Sequence, residues 1–307
     1  MNQRKTTGHI ALLFANIIFG VNNPIARLLM PDLLDPIALT FFRFLGGMLL
    51  FWIASVFVKR EHVPFKDIVL LFFASIFGLT LNQLPFFIGL SMTSSIDASI
   101  VVTMLPIITM ILSAIFLKEP ITQLKAIGVL VGASGALIIV FGGATEQVGS
   151  GNMLGNLIVF LAVIGFAIYL TMFKKLIDRY HPVTIMKWMF LFATITGLPF
   201  SYVNIIEANY AGLSTMSWIS VGYVIVFATF LGYLLLPIGQ KVLRPTTLSM
   251  YNYVQPIVAS IVAVMMGLDK FGYHQGLSAL LVFSGVYIVT QSKSRAQMEA
   301  EKGGRHK

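Results

Sequence analysis

The chain has 307 residues, of which 57% are hydrophobic and 11% are charged, and its formal net charge is +9. A soluble domain carries more charge on its surface, so this composition excludes a soluble protein and predicts an all-α polytopic membrane protein. Cysteine is absent and the five histidines form no i, i+4 pair, which excludes disulfides, thiol catalysis and the usual metal sites. We therefore expect neither a metal nor another cofactor.

Apolar runs of the length that crosses a bilayer, about 20 residues, recur along the whole chain. We count ten of them, near 9–30, 36–58, 67–90, 97–117, 121–141, 153–173, 183–203, 217–239, 246–267 and 273–291. Several are interrupted by a proline, which frees the backbone carbonyl one turn earlier, and these prolines are Pro24, Pro85, Pro106, Pro237 and Pro256. Pro24, Pro106 and Pro256 are therefore candidate hinges.

Basic residues test this count, because they concentrate on the cytoplasmic side of membrane proteins. If the N-terminus is cytoplasmic, 18 of the 21 Lys and Arg residues fall in inner segments, and the outer loops keep only Lys270. We therefore expect a multi-pass protein of the cytoplasmic (inner) membrane with both termini in the cytoplasm. The basic residues are scattered over all inner loops, which argues against a nucleic-acid partner.

The two halves of the chain resemble each other. When FGLTLNQLPFFIG (77–89) is aligned with FATFLGYLLLPIG (227–239), Gln83 lies opposite Tyr233 and Pro106 lies opposite Pro256. Each half would contain five helices, and an odd number inserts the second copy upside down, as in secondary transporters. We predict one repeat in 1–145, an inverted repeat in 146–292 and a polar cytoplasmic tail in 293–307.

Three motifs make the chain resemble the EamA-like group of the drug/metabolite transporter superfamily. They are FGVNNP at 19–24, FFRF at 41–44 and LKEPIT at 117–122, and the five-plus-five layout extends the resemblance over the whole chain. The resemblance implies ten transmembrane helices in two inverted five-helix repeats around a central cavity. It also implies a substrate such as an amino acid, a related metabolite or a drug. The second half departs from symmetry, because Asp269 lies opposite Glu119 and Arg43 has no counterpart.

Polar side chains at membrane depth are the candidates for a binding cavity, since they are costly to expose to lipid. Arg43 is expected either to bind a substrate carboxylate or to form a structural ion pair with Asp97, and Asp97 is also the candidate for proton coupling. The asparagines are equally compatible with hydrogen bonds between helices, and some tyrosines with anchors at the membrane interface. The substrate-cavity candidates are Asn16, Asn23, Arg43, Asn82, Gln83, Tyr169, Tyr233 and Asn252.

Together these features predict a secondary transporter, an exporter of a small metabolite such as an amino acid, that works by alternating access. No Walker motif, HExxH motif or pair of intramembrane aspartates occurs, which argues against direct ATP drive and against an enzyme. A facilitative or exchange permease for drugs or other metabolites, and a scaffold or sensor without transport, stay open as alternatives. The expected partners are a small-molecule substrate, the lipid bilayer, and protons or another coupling ion. Gly128 and Gly132 favour close packing within a monomer, with a homodimer as the alternative.

Overall fold

The computed structural model describes residues 3–29, 34–93, 95–142, 152–208, 210–265 and 273–293, which form helices and contain no strand. The first half contains α1 (Gln3–Leu29), α2 (Pro36–Ala54), α3 (Phe65–Ser75), α4 (Leu81–Met92), α5 (Ser95–Thr103), α6 (Leu105–Phe116) and α7 (Gln123–Gly142). The second half contains α8 (Met153–Met172), α9 (Lys174–Ile177), α10 (Pro182–Glu207), α11 (Thr215–Tyr223), α12 (Gly232–Val242), α13 (Pro245–Met250), α14 (Val254–Met265) and α15 (Tyr273–Gln291).

The described helices confirm a polytopic membrane fold. Six stretches are long and apolar enough to cross a membrane: Gln3–Ala26, Pro36–Phe57, Phe65–Leu90, Met153–Met172, Pro182–Glu207 and Thr215–Val242. Shorter apolar helices occupy Ile100–Phe116, Gln123–Ile138 and Gly276–Gln291. The predicted count of ten spans is therefore not confirmed. The predicted tail from residue 294 onward lies outside the described residues.

Two long helical stretches contain π-helical segments. The segment Ile76–Thr80 joins α3 to α4, and Val224–Leu231 joins α11 to α12. Pro85 and Pro237 lie within the helices that follow these segments. We expected the interruptions at the prolines themselves, but the irregular geometry lies earlier in each stretch. A π turn accommodates an extra residue without breaking the helix, which keeps both stretches continuous.

The hinge candidates have different local structures. Helix α1 continues through Pro24. A break at Met104 separates α5 from α6, and Pro106 lies in the first turn of α6. N–H groups in the first turn of a helix have no acceptor within that helix, so the proline costs α6 no hydrogen bond. A 3₁₀ turn, Tyr251–Tyr253, precedes the helix that contains Pro256. The irregular backbone therefore lies beside the second and third candidates.

Glycines bring α7 and α15 into direct backbone contact. A Cβ atom added at Gly128 would lie 2.9 Å from the carbonyl oxygen of Gly285, and one added at Gly285 would lie 2.6 Å from the carbonyl oxygen of Gly128. Ser278 in α15 donates a hydrogen bond of 2.6 Å to the carbonyl oxygen of Gly135. These contacts lie within one chain, as the closer-packing interpretation of Gly128 and Gly132 requires.

Candidate functional site

Gln83 of α4 and Tyr233 of α12 meet inside the bundle. Nε2 of Gln83 donates a hydrogen bond of 2.9 Å to the Tyr233 hydroxyl, and the two residues are 5% and 8% exposed. The rings of Phe190 and Phe19 pack against Tyr233, with centroids 5.3 and 5.6 Å away. Oε1 of Gln83 is buried without a hydrogen-bond partner among the described residues. A buried acceptor without a partner is costly, so this oxygen is available for a ligand donor.

Arg43 reaches the same region from α2. It is 8% exposed, and its Nε donates a hydrogen bond of 3.2 Å to Oγ1 of Thr229, within the second π segment. Arg43 also lies close enough to Tyr233 to interact with it electrostatically. No salt bridge in the described part of the chain includes Arg43. A guanidinium has five N–H groups, so this hydrogen bond uses only one of them.

A second polar pair adjoins the first. The hydroxyl of Tyr169 in α8 donates a hydrogen bond of 3.1 Å to Oε1 of Gln240 in α12. Nε2 of Gln240 is buried without a hydrogen-bond partner in the described residues. Gln240 and Tyr233 lie in the same helix, seven residues apart, so α12 joins the two pairs. We call the following residues the central polar cluster: Arg43, Gln83, Tyr169, Thr229, Tyr233 and Gln240.

Asn16 and Asn252 belong to a separate network that joins α1 to the helix following the 3₁₀ turn. Nε2 of Gln255 donates to Oδ1 of Asn16 at 2.8 Å and to Oδ1 of Asn252 at 3.0 Å, and Nδ2 of Asn16 donates to the carbonyl oxygen of Leu12 at 2.8 Å. Both polar atoms of the Asn16 side chain are therefore used by the protein itself. Nδ2 of Asn82 likewise donates to the carbonyl oxygen of Ala162, at 3.3 Å. These contacts favour packing between helices.

Asn23 and Asp97 lie in α1 and α5, but their side chains are outside the described part of the structure. The predicted ion pair between Arg43 and Asp97 therefore stays a prediction.

Two cavities lie away from the central polar cluster. One, of about 610 Å³, lies along α15 and is lined by residues that include Ala279 and Phe283. The other, of about 400 Å³, lies between α3 and the α8–α9 region. Neither is the central cavity implied by the resemblance, because no residue of the central polar cluster lines either of them.

Thr229 and Gln240 were not predicted as site residues. Thr229 lies in an apolar run and its aligned partner is Leu79, so neither polarity pattern nor symmetry marks it. Gln240 adjoins Lys241 near the end of a predicted span, where polar residues are ordinary. Its spacing was nevertheless a usable signal, because Tyr233 and Gln240 are seven residues apart and share one helix face.

Charged residues join two loops at one end of the bundle. We call the end that contains residues 55–64, 173–181 and 243–244 the basic end. There the buried carboxylate of Asp67, in the first turn of α3, accepts hydrogen bonds from Nη1 of Arg179 at 3.2 Å to each oxygen and from the Tyr180 hydroxyl at 2.5 Å. We call these three residues the Asp67 cluster. Glu61 adds contacts of 2.9 and 3.1 Å from the backbone N–H of His181.

The Asp67 cluster also changes the acid–base behaviour of Tyr180. Burial, the hydrogen bond to Asp67 and the negative charge of that carboxylate together raise the pKa of Tyr180 to about 12. The phenol is therefore held in its neutral, hydrogen-bond-donating form, and the cluster ties α3 to the segment that precedes α10.

Comparison with known proteins adds a family relationship. The profile of the EamA-like transporter family matches residues 6–141 and, separately, residues 153–291. A protein of Archaeoglobus fulgidus named as an uncharacterized transporter is 27% identical over 260 residues, which cover 85% of this chain and 90% of its own. The uncharacterized transporter YetK of Bacillus subtilis is 25% identical over 95% of this chain and 89% of its own.

More distantly related proteins also match over nearly the whole chain. A WAT1-related protein of Arabidopsis thaliana is 20% identical over 99% of this chain and 88% of its own. A solved crystal structure with 16% sequence identity superposes with a TM-score of 0.77, and the match covers 93% of this chain and 96% of that one. This second similarity concerns the fold alone.

Proposed function

Because the chain belongs to the EamA-like transporter family, and is thus a membrane transporter of small solutes, we propose that it is a secondary carrier that exports an amino acid or a related metabolite. In this proposal it works by alternating access in the cytoplasmic membrane, with both termini and the basic end on the cytoplasmic side. Transport of this kind needs a substrate site between two moving halves and a closure on each side of the membrane.

The two halves of the proposed carrier are the predicted repeats, 1–145 and 146–292. The family profile matches one segment within each half, which supports the division. The π segments Ile76–Thr80 and Val224–Leu231 overlap when the halves are aligned with Gln83 opposite Tyr233. Both halves thus have a π segment in the same place, as two copies of one unit would.

The observation that carries the substrate proposal is a buried arginine and a buried acceptor that both adjoin Tyr233. Arg43 has N–H groups beyond the one bonded to Thr229, and Oε1 of Gln83 has no described partner. A carboxylate is the natural acceptor for the guanidinium, which can bind it through two parallel hydrogen bonds. An ammonium or amide N–H of the same molecule would satisfy Gln83. An amino acid offers both groups on a small body, and the rings of Phe19 and Phe190 supply apolar walls nearby.

The Asp67 cluster supports the gating part of the proposal. It joins α3 of the first half to the segment before α10 of the second half, so it restrains these two elements at the basic end. Opening on that side would require Asp67 to exchange Arg179 and Tyr180 for water. Such an exchange is feasible because the Arg179 side chain is already 58% exposed.

Counterflow in proteoliposomes tests the substrate. We expect wild-type protein to accumulate at least one labelled amino acid from a panel that also contains the corresponding decarboxylated amines and cationic drugs. Arg43→Gln removes charge-assisted hydrogen bonds worth about 1.5–3 kcal/mol. We therefore expect the amino-acid concentration that gives half-maximal counterflow to rise about ten- to a hundredfold. Counterflow of the corresponding amine, which lacks the carboxylate, should change much less between wild type and Arg43→Gln. Lys59→Gln, in an exposed loop, removes one positive charge as a control.

Two results would contradict this proposal. One is a correctly inserted wild-type protein that moves no member of the panel. The other is an Arg43→Gln protein that transports the amino acid as well as wild type does. Asp97→Asn addresses the driving force separately: a proton-coupled carrier would keep exchange but lose uptake driven by a pH gradient. A facilitative or exchange permease would show no such uptake in wild type or in the variant.

A further inference from the structure

A groove opens on the outer surface of the bundle near the basic end, away from the central polar cluster. Its volume is about 400 Å³, within the range of about 300–1,000 Å³ typical of small-molecule sites. The walls come from α3, the first π segment, and the α8–α9 region. They are apolar or aromatic along most of the groove: Leu70, Phe73, Phe77, Met172, Phe173 and Leu176. Leu70, Phe73 and Met172 are exposed on its outer side, so in a membrane these walls face lipid chains.

Two cations complete the lining of this groove. Lys175 and Arg179 are both exposed. In the described part of the chain Lys175 takes part in no salt bridge. Arg179 uses Nη1 for Asp67, and the other N–H groups of its guanidinium have no described hydrogen bond. The neighbouring Lys174 differs, since it pairs with Asp178 at 2.6 Å.

Apolar walls beside two cations complement one class of membrane molecule. We propose that the groove binds an anionic phospholipid of the leaflet that meets the basic end, with an acyl chain against Phe73, Phe77 and Met172 and the phosphate between Lys175 and Arg179. A phosphate diester would bring one negative charge to a groove lined by two cations and by no carboxylate among its described lining residues. Arg179 is already paired with Asp67, whereas Lys175 takes part in no described salt bridge. Basic sites between helices on the cytoplasmic side of membrane proteins bind such headgroups.

The position of Arg179 gives this lipid site a mechanical connection. The guanidinium of Arg179 lines the groove and also donates hydrogen bonds to Asp67. A bound phosphate and Asp67 would therefore accept hydrogen bonds from the same guanidinium. The lipid would thereby keep Arg179 oriented between α3 and the segment preceding α10.

Lipid retention by the purified full-length protein tests the proposal. The protein is titrated in detergent with phosphatidylglycerol or with phosphatidylcholine of identical acyl chains, and bound lipid is counted by native mass spectrometry. We expect phosphatidylglycerol to bind preferentially. Lys175→Gln should weaken it about fivefold, the effect of about 1 kcal/mol for one basic residue near a charged headgroup. Phe73→Ala should weaken both lipids. Lys59→Gln, which removes a loop charge outside the groove, should change neither.

Several outcomes would overturn the lipid site. Equal affinity for the two lipids, or unchanged phosphatidylglycerol binding in both Lys175→Gln and Phe73→Ala, would mean that the groove does not select the headgroup or the chain. Glycerol phosphate that competes as strongly as the full lipid would mean an anion site without an acyl-chain component. Lys175 and Phe73 are exposed, so both variants are expected to fold, and the thermal unfolding temperature of each checks this.

Discussion

The amide of Gln83 donates a hydrogen bond of 2.9 Å to the hydroxyl of Tyr233, a residue 150 positions further along the chain. These are the two positions that the alignment of the halves places opposite each other. A contact between aligned positions is what a two-fold relation between inverted halves would produce at its axis. The hydrogen bond therefore reports directly on how the proposed halves meet.

A double-mutant cycle should detect this contact. Tyr233→Phe and Gln83→Leu each remove one partner and leave the other buried, whereas the double variant removes both. We expect a coupling free energy of about 0.6–1.7 kcal/mol, as for other hydrogen bonds between membrane helices. Reversible unfolding of the four proteins in mixed micelles measures it. Strictly additive effects would show that the hydrogen bond contributes nothing to stability.

The Asp67 cluster should restrict access from the basic end. Asp67→Asn weakens the attraction to Arg179, and because the arginine is largely exposed we expect an effect of about 0.5–1 kcal/mol, or about two- to fivefold faster opening. The chain has no cysteine, so Ser75→Cys, buried in α3, provides a single reporter for a membrane-impermeant maleimide. Asp178→Asn is the control, since it removes an exposed ion pair to Lys174 at the same end. Equal labelling rates of Ser75→Cys in the Asp67→Asn and Asp178→Asn proteins would show that Asp67 does not control access from the basic end.

Tyr180 should make stability fall in alkaline solution. Burial and the bond to Asp67 raise the pKa of Tyr180 to about 12, whereas an unfolded tyrosine ionises near pH 10. The stabilisation is therefore complete below about pH 10 and is lost as the pH rises toward about 12. Unfolding temperatures of wild type and Tyr180→Phe measured from pH 8 to pH 11.5 test this. The advantage of wild type should shrink above pH 10, and a constant difference would exclude the linkage.

Close packing of α7 and α15 should make Gly285 intolerant of a side chain. A Cβ there would lie 2.6 Å from both the carbonyl oxygen of Gly128 and the backbone nitrogen of Gly132, and backbone atoms cannot rotate away. We expect Gly285→Ala to destabilise the protein by about 1–3 kcal/mol. Gly276→Ala is the matched control in the same helix, because no atom lies within 4 Å of its added Cβ. Similar unfolding temperatures for the two variants would contradict the backbone contact.

The sequence predicted the parts of the structure that follow from repeating patterns. Apolar length predicted a polytopic membrane fold, although the count of ten spans is not confirmed. The alignment of the halves paired Gln83 with Tyr233. The cost of burying a charge marked Arg43 as a residue of the interior, where it lies. Its described partner is the hydroxyl of Thr229, and a threonine in an apolar run carries no comparable signal.

Other features depended on packing that a linear pattern does not contain. Proline positions predicted where the helical hydrogen bonding of α3–α4 and α11–α12 is interrupted. The π segments lie earlier in both stretches, where packing against neighbouring helices determines the local geometry. The resemblance implied a central cavity, and several of the polar residues expected to line it hydrogen-bond to one another or lie among aromatic rings in this conformation. Whether polar side chains bind each other or a ligand depends on how far the helices separate, and hydropathy does not record that distance.

The two π segments also imply a rotational freedom in the helices that follow them. Each π turn contains about one residue more than an α turn, so converting it to α geometry would turn the following helix by about 100° and advance it by about 1.5 Å. Gln83 lies three residues after the first segment and Tyr233 two residues after the second. A change of helical register in either segment would swing the corresponding side chain away from its partner while the helix that precedes the segment stays in place.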